Sequence, residues 1–312
     1  MIADLTERYD NVCAAPGGNG FRVEHMPQMF AESEVDDDSP HVHSFYEILW
    51  FQEGRGHHTV DFVEYTVKPG TIFFLSPGQI HNFDPDVDKG SYRGVAIKMC
   101  TDFLRDEECG GNAMLKYNAF HTFDTAPYIY VSGEAARDLE VLVRMMEEES
   151  IANRGRFGNV EVLKSLLRIF LVMVQRSGVQ EGGVHLDNRK ASHTLFVQFR
   201  QLVEREFRTL HTVQEYADRL NVAVRTLGKS VAECSGKSPL AFINDRVVLE
   251  AKRLVRHSNL MIKEIAYELG FDDPSYFVKL FKRQTGYLPS DFRGMDKVDT
   301  EFVKLAGSAG RR

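Results

Sequence analysis

The feature that most constrains this chain is an internal duplication in its last third. Residues 213–242 align with residues 262–292 once the second copy is allowed one extra residue in its central turn. Nine positions then pair, the first four at an offset of 49 and the next five at an offset of 50: Glu215 with Glu264, Ala217 with Ala266, Asn221 with Gly270, Val222 with Phe271, Leu227 with Phe277, Val231 with Phe281, Gly236 with Gly286, Pro239 with Pro289 and Phe242 with Phe292. A match of this extent predicts two copies of one structural unit.

Each copy has the pattern of two short helices joined by a tight turn. Ala217 is small enough to let a second helix pack closely against the first. Asn221 and Gly270 lie where the chain must leave a helix in a left-handed conformation, which these residue types tolerate. Apolar residues four positions apart, such as Phe277 and Phe281, then anchor the second helix to a core. We therefore predict a helix-turn-helix in each copy.

The two copies differ in how their second helices begin. In the second copy Asp272 and Asp273 offer oxygen atoms for capping, and Pro274 suits the first helical turn. In the first copy Ala223 supplies no cap, and Gly228 inside the helix costs about 1 kcal/mol relative to Ala. We therefore expect the second helix of the second copy to be the better defined of the two.

The outward faces carry side chains that reach base edges and phosphates in a major groove. These predicted contact residues are Arg225, Thr226, Lys229, Ser275, Lys279, Lys282 and Arg283. Residues 239–258 between the copies read as one continuous helix, on which Arg246 is a further predicted DNA contact. A rigid helical spacer would hold the two recognition helices at a fixed distance, and adjacent major grooves on one face of DNA are roughly 34 Å apart.

The distribution of charge also separates the part of the chain that carries the duplication from the part before it. Up to Ser192 there are 18 Lys and Arg against 30 Asp and Glu, and from His193 onward there are 20 against 15. An acidic N-terminal part and a basic C-terminal part indicate that only the C-terminal part binds a polyanion. The basic excess is modest, so the DNA-binding prediction depends on the duplicated helices rather than on charge.

Residues 41–99 have the pattern of short strands separated by Gly and Pro turns. The runs rich in aromatic and β-branched residues, each interpreted as one strand, are FYEILWF, HHTVDFVEYTV, TIFFLS, IHNF and YRGVAIKM. Strands this short and this regularly spaced predict a small barrel or sandwich.

Two amphipathic helices are predicted after the strands. Residues 134–150 have a single apolar stripe, made by Leu139, Leu142, Val143 and Met146. Residues 158–177 have two stripes side by side: Leu163, Leu167, Phe170 and Val174, and next to them Val162, Leu166, Ile169 and Met173. So wide an apolar arc must be buried on two sides. Either it packs on its own barrel and the preceding helix, or it forms a homodimer seam that substitutions at Leu167 or Phe170 should weaken.

The stretch PHVHSFYEILWFQEG, residues 40–54, places His41, His43 and Glu47 two and four residues apart. If this segment is a strand, all three side chains point the same way, because alternate residues of a strand share a face. Phe45 shares that face, so the predicted interior mixes apolar walls with a few polar groups, as small-molecule sites do.

Residues 195–295 resemble the paired helix-turn-helix domain of the AraC/XylS family of bacterial transcription regulators. The segment IKEIAYELGFDDPSYFVKLFKRQTGYLPSDFR fits the family's I-A-x-x-x-G-F, S-x-F, F-K, G and P-x-x-[FY]-R pattern nearly throughout. The resemblance implies one recognition helix in each copy, with base contacts at Arg225, Thr226, Lys229, Pro274, Ser275 and Lys279. It also favours transcription activation.

The front half resembles a cupin, a barrel that this family often joins to its DNA-binding domain. One cupin motif, H-x-H-x3-E-x6-G, is matched by His41, His43, Glu47 and Gly54. The second is approximated by Gly70, Gly78 and His81, with Ser76 in the place of the usual Pro. Enzymatic cupins bind iron, manganese, nickel or zinc at these places, whereas regulator cupins of this kind generally bind an effector without a metal.

We therefore expect a small-molecule effector pocket that needs no metal or other cofactor. Its expected residues are His41, His43, Phe45, Glu47 and His81; if a metal is bound, the candidate ligands are His41, His43, Glu47 and His81. His57 and His58, beside a turn, are expected to be exposed and to carry no chemistry. One alternative is a cupin metalloenzyme, a dioxygenase or isomerase, although an enzyme has no use for two spaced recognition helices. Another makes the barrel only an oligomerisation module.

Together these features predict an α+β chain with several parts. They are a cupin-like β-barrel at residues 1–132, a helical dimerisation segment at 133–176, a linker at 177–192, an all-α tandem helix-turn-helix domain at 193–296 and a flexible tail at 297–312. The acidic start, the lack of a long apolar run and four cysteines without paired spacing predict a cytoplasmic protein with free thiols and no membrane segment. Its expected partners are duplex DNA, a small-molecule effector, a second copy of the chain and, for an activator, RNA polymerase; no enzymatic activity is expected.

Overall fold

The computed structural model describes residues 12–13, 19–32, 38–101, 103, 105–106, 111–112, 120, 126–177 and 191–295. The chain divides into two compact units, whose described residues lie within 12–177 and 191–295. Nearly all of the predicted linker and all of the predicted tail lie outside the described residues.

The first unit holds the strands and three of the helices. Its described strands are β1 (Val12–Cys13), β2 (Phe21–His25), β3 (Val42–His43), β4 (Tyr46–Glu53), β5 (Gly56–Val60), β6 (Val63–Val67), β7 (Thr71–Leu75), β8 (His81–Phe83), β9 (Arg93–Met99), β10 (Arg105–Asp106), β11 (Gly111–Asn112) and β12 (Tyr128–Tyr130). Its described helices are α1 (Met26–Glu32), α2 (Gly133–Ala152) and α3 (Asn159–Ser177).

Two sheets enclose the core that carries the predicted site. The larger sheet has the strand order β12-β7-β4-β9-β2, and the smaller has the order β6-β5-β8. Along β4, Leu49 and Phe51 pack with side chains of the smaller sheet, whereas Ile48 and Trp50 pack with α2 and α3. The odd-numbered positions of β4 therefore face the space between the sheets, as the alternation predicted.

The run HHTVDFVEYTV forms two strands joined by a two-residue turn. Asp61 and Phe62 have φ values of 47° and 70°, and Val60 pairs with Val63 across the turn. Such a turn needs a positive φ at both central residues, for which Asn and Gly are the usual sequence signals. Phe62 provides no such signal, and the prediction of a single strand is wrong.

The helices α2 and α3 cover the outer face of the larger sheet. The stripe predicted on α2 is buried as a set: Leu139, Leu142, Val143 and Met146. On α3 the first predicted stripe has no exposure at all: Leu163, Leu167, Phe170 and Val174. In the second stripe Val162 and Ile169 are 43% and 48% exposed. Leu167 and Phe170 thus belong to the core, and substitutions there do not probe a dimer seam.

All regular secondary structure among the described residues of the second unit is helical. Its helices are α4 (Ala191–Glu206), α5 (Val213–Arg219), α6 (Val224–Ser235), α7 (Pro239–His257), α8 (Ile262–Glu268), α9 (Pro274–Thr285) and α10 (Pro289–Gly294). Both α5 and α8 have 7 residues, and both α6 and α9 have 12. The first helices of the two copies begin 49 residues apart and the second helices 50 apart, so the extra residue lies in the turn, as predicted.

The residues in the two turns explain why the copies fold alike. Asn221 and Gly270 have φ values of 53° and 76°, the left-handed conformation that the sequence predicted. A Cβ atom at Gly270 would clash with the carbonyl oxygen of Arg208, so this turn also requires the absence of a side chain. Asp273 caps α9 by accepting a 2.8 Å hydrogen bond from a backbone N–H of the first turn, whereas Ala223 gives α6 no side-chain cap.

A buried ion-pair cluster fixes the spacer helix α7, which is continuous over 19 residues as predicted. Arg246 donates from Nε to Glu204 at 2.9 Å and from Nη1 to Glu250 at 3.2 Å. Arg208 and Arg253 form ion pairs with the same Glu250 carboxylate. Because Arg246 is only 7% exposed and its charge is matched inside the fold, its prediction as a DNA contact is wrong.

The described cysteine side chains, Cys100 and Cys234, are free thiols, in agreement with their spacing. Those of Cys13 and Cys109 lie outside the described residues. None of the helices in the described ranges has the length and apolar content that crossing a bilayer requires.

Candidate functional site

Backbone pairing brings the two predicted histidine motifs together between the sheets. His41 and His81 exchange two backbone hydrogen bonds, each 3.1 Å long, and their ring centroids are 4.3 Å apart. The backbone N–H of Gly78 donates to the carbonyl of His43 at 3.0 Å. Histidines from distant parts of the sequence therefore line one site.

Glu47 lies on the central strand β4, opposite Lys98 of β9. Its Oε2 atom is 3.3 Å from Nε2 of His43 and 3.9 Å from Nε2 of His81. Its Oε1 atom is 3.8 Å from Nζ of Lys98, whose ammonium group also lies 2.7 Å from Glu24. The buried carboxylate is thus held between one ammonium group and two imidazoles.

The surroundings determine the charges in this cluster. Burial alone raises the pKa of Glu47, but the hydrogen bond from His43 and the charge of Lys98 outweigh it and lower that pKa to about 2. Burial lowers the pKa of His81 well below its ordinary value, and the neighbouring histidines lower it further. At neutral pH the cluster therefore contains an ionised carboxylate beside a neutral His81 ring.

Backbone carbonyls fix the tautomers of two rings. Nδ1 of His81 lies 3.0 Å from the carbonyl oxygen of Gln79, and Nδ1 of His41 lies 2.9 Å from that of Ser39. A carbonyl oxygen only accepts hydrogen bonds, so each Nδ1 carries the proton. In His81 this leaves the Nε2 lone pair available on the side where Glu47 lies.

His58 belongs to this cluster, and its predicted exposure is wrong. Its side chain is fully buried and its ring centroid lies 5.6 Å from that of His81. Desolvation lowers its pKa to about 3 against the opposing effect of the Glu47 charge. His57 is the exposed member of the pair, with 46% of its side chain accessible. Strand alternation could have separated them, because His58 shares its face with the buried Val60.

Aromatic side chains surround the polar cluster. Phe45 stacks on His43 with ring centroids 4.2 Å apart and an interplanar angle of 14°. Tyr92 packs 5.2 Å from Phe51, and its buried hydroxyl has no hydrogen-bond partner among the described residues. The interior therefore combines apolar walls with a few polar groups that lack partners, as sites for small molecules do.

Three of the four predicted metal candidates lie together. His43, Glu47 and His81 each place one donor atom within 4.8 Å of the others, whereas His41 lies outside this group although its ring contacts His81. Two imidazoles and a carboxylate are a donor set that first-row transition metals accept. The residues present therefore fit a metal held by three protein ligands.

In the second unit, α6 and α9 present nearly all of their predicted DNA contacts to solvent. The exposed residues are Arg225, Thr226, Lys229, Ser275, Lys279, Lys282 and Arg283, while Pro274 is half-buried at the start of α9. The opposite faces of these helices are in the core through Leu227, Val231, Phe277 and Phe281. Tyr276, which the sequence reasoning left out, is 55% exposed and lies one turn before Lys279.

Comparison with known protein families divides the chain in the same way. A family described as an AraC-like ligand binding domain matches residues 30–156. A family described as a helix-turn-helix domain matches residues 216–295. The two matches together cover about two thirds of the chain.

The chain is also similar to curated proteins along most of its length. It is 26% identical over 262 residues to the HTH-type transcriptional activator RhaS of Citrobacter koseri, covering 81% of this chain and 86% of that protein. It is 24% identical over 257 residues to RhaS of Escherichia coli, covering 82% and 88%. Among solved structures, ToxT from Vibrio cholerae is 17% identical, with coverage of 88% and 98% and a TM-score of 0.40.

Proposed function

Because this chain belongs to the AraC family of transcription regulators, we propose that it activates transcription when a small molecule occupies the site between its two sheets. In this proposal the chain binds DNA of defined sequence through α6 and α9. It acts in the cytoplasm, without catalytic turnover, and its partners are duplex DNA, the effector, a second copy of the chain and RNA polymerase.

The observation that carries the proposal is the matched pair of exposed recognition helices on one rigid spacer. Both helices have 12 residues and both end at a glycine in the left-handed conformation, Gly236 and Gly286. The 19 residues of α7 span roughly 28 Å at about 1.5 Å per residue. That length is comparable to the roughly 34 Å between adjacent major grooves, which supports simultaneous reading of two grooves.

The polar cluster between the sheets supports effector binding. The ionised Glu47 offers an acceptor, while the buried hydroxyl of Tyr92 has no hydrogen-bond partner among the described residues. Buried polar groups without partners cost about 1–3 kcal/mol each, so a ligand that satisfies them gains that free energy on binding. In the proposed pocket His41, His43, Phe45, Glu47 and His81 contact the effector, and His58 joins them.

Exposed apolar side chains on α2 and α3 support a homodimer. Val141 and Met145 on α2 and Val162 and Ile169 on α3 are each between 43% and 48% exposed. We propose that these four residues form the seam with a second copy. Activation, and with it a contact to RNA polymerase, is supported by the names of the RhaS relatives, which are transcriptional activators.

Selection of bound sequences from a random duplex DNA pool tests this function. The full chain should enrich one sequence with two conserved elements about 10 base pairs apart, because each recognition helix reads one major groove. The double variant Arg225→Ala, Lys279→Ala is the comparison and should enrich it far less. Recovery of no preferred sequence by the unchanged chain, with and without cell-extract metabolites, would contradict the proposal.

A further inference from the structure

Within the part of the chain that the structure describes, a single group of potential metal ligands converges on one point. It consists of His43, Glu47 and His81, all of them buried. Typical metal–nitrogen and metal–oxygen bonds are about 2.0–2.2 Å long, so two ligands of one ion are at most about 4.4 Å apart. Oε2 of Glu47 already lies 3.3 Å from Nε2 of His43 and 3.9 Å from Nε2 of His81.

The groups around these residues prepare them as ligands. The carbonyl of Gln79 holds the proton of His81 on Nδ1, which leaves Nε2 free, and such a bond is what orients metal-binding histidines. Lys98 lies beside Oε1 of Glu47, so Oε2 is the atom left for the imidazoles. Nδ1 of the buried His43 has no hydrogen-bond partner among the described residues, an arrangement that is costly unless another partner is supplied.

We propose that His43, Glu47 and His81 bind one divalent transition-metal ion and that His41 is not among its ligands. Three protein ligands leave coordination positions open, so the ion can present an oxygen- or nitrogen-bearing small molecule to the cluster. This second part rests on the proposed function, because it makes the ion part of the effector site. The inference differs from the metal-free pocket and from the four-residue set that the sequence suggested.

Metal binding to the full chain tests the inference directly. Chain prepared without affinity-tag metals and stripped with chelator is titrated with Co(II), followed by its visible absorption, and with Zn(II), followed by calorimetry. One ion per chain is expected for both. His43→Ala, His81→Ala and the isosteric Glu47→Gln should each weaken binding by at least about 100-fold, since losing even an outer partner of a ligand costs about 10–100-fold. The matched control is His57→Ala, which removes an exposed histidine of the same sheet and should change affinity less than threefold.

His41→Ala separates the three-residue group from the four-residue set. Weakening of less than tenfold supports the inference, whereas a loss as large as that of His81→Ala overturns it. Stripped wild-type chain that binds neither ion also overturns it, whatever the variants do. The same preparations are tested for DNA selection, so the two proposals fail separately. Metal binding without sequence-specific DNA binding contradicts only the proposed function, and DNA binding without metal binding contradicts only this inference.

Discussion

Arg246 and Glu204 are joined between α7 and α4 by a 2.9 Å hydrogen bond whose donor is almost entirely buried. Glu250 completes the cluster by accepting from Arg208, Arg246 and Arg253. Two carboxylates therefore hold three guanidinium groups together at the spacer helix. This cluster keeps α7 in place, and through α7 the two recognition helices.

Replacing Glu250 with Gln should destabilise the helical unit by roughly 3–5 kcal/mol, because it leaves buried guanidinium groups without their counter-charge. Urea unfolding of the full chain, followed by its helical circular dichroism, measures the change. Glu233→Gln, an exposed acid on α6, is the matched control and should change stability by less than about 0.5 kcal/mol. A loss below about 1 kcal/mol for Glu250→Gln would show that the cluster does not hold the spacer.

The pH dependence of stability should report on His58. Its folded pKa of about 3 lies below the ordinary 6.5, so its contribution is complete above pH 6.5 and is lost as the pH falls toward 3. Between pH 6.5 and 4.5 chelator-treated wild type should lose stability at up to about 1.4 kcal/mol per pH unit more steeply than His58→Phe. The pKa of Glu47 is about 2 in the folded chain and ordinarily 4.5, so its contribution to stability is lost only below about pH 4.5.

Urea midpoints across this pH range measure the effect, with His57→Phe as the control at an exposed neighbour. Equal slopes for wild type and His58→Phe would mean that the buried ring does not carry the dependence.

The sequence predicts which side chains of this site point between the sheets wherever that direction follows from the alternation of side chains along a strand. The shared face of His41, His43 and Glu47 follows from their even spacing, although the structure places His43 on β3 and Glu47 on β4. The duplicated pattern likewise predicts a pair of short helices in each copy. His58 follows the same alternation, because it shares its face with the buried Val60, but that relationship was not used in the prediction. Arg246 is different, since its burial depends on Glu204, which is 42 residues away in the sequence.

Dimer formation should depend on the exposed stripe of α3. Ile169→Glu places a charge among the apolar residues proposed for the seam, and desolvating an unpaired charge there costs several kcal/mol. Sedimentation of the full chain should show the dimer weakened at least tenfold while the helical circular dichroism is retained. Glu161→Gln, an exposed change on the same helix, is the control. A monomeric wild type at high micromolar concentration would remove the seam.

The two lysines of α9 should differ in what they read. Lys279→Ala should cost roughly 1–3 kcal/mol on the selected sequence and relax the preference at one base, because it faces outward in the middle of the recognition helix. Lys282→Ala should weaken binding similarly on all sequences and reduce the salt slope by about one, as loss of a phosphate contact does. Fluorescence anisotropy at several salt concentrations measures both, with the exposed Lys68→Ala of the first unit as control. Unchanged binding in both variants would contradict the assignment of α9.

The proposed function requires one chain to read two neighbouring major grooves through α6 and α9. Methylation interference on the selected DNA tests it most directly, because methyl groups on guanine N7 block the major groove alone. We expect two patches of interference, about 10 base pairs apart on one face of the duplex. The double variant Lys279→Ala, Ser275→Ala should lose one of them. A single patch for the unchanged chain, or two patches that both survive the substitutions, would contradict it.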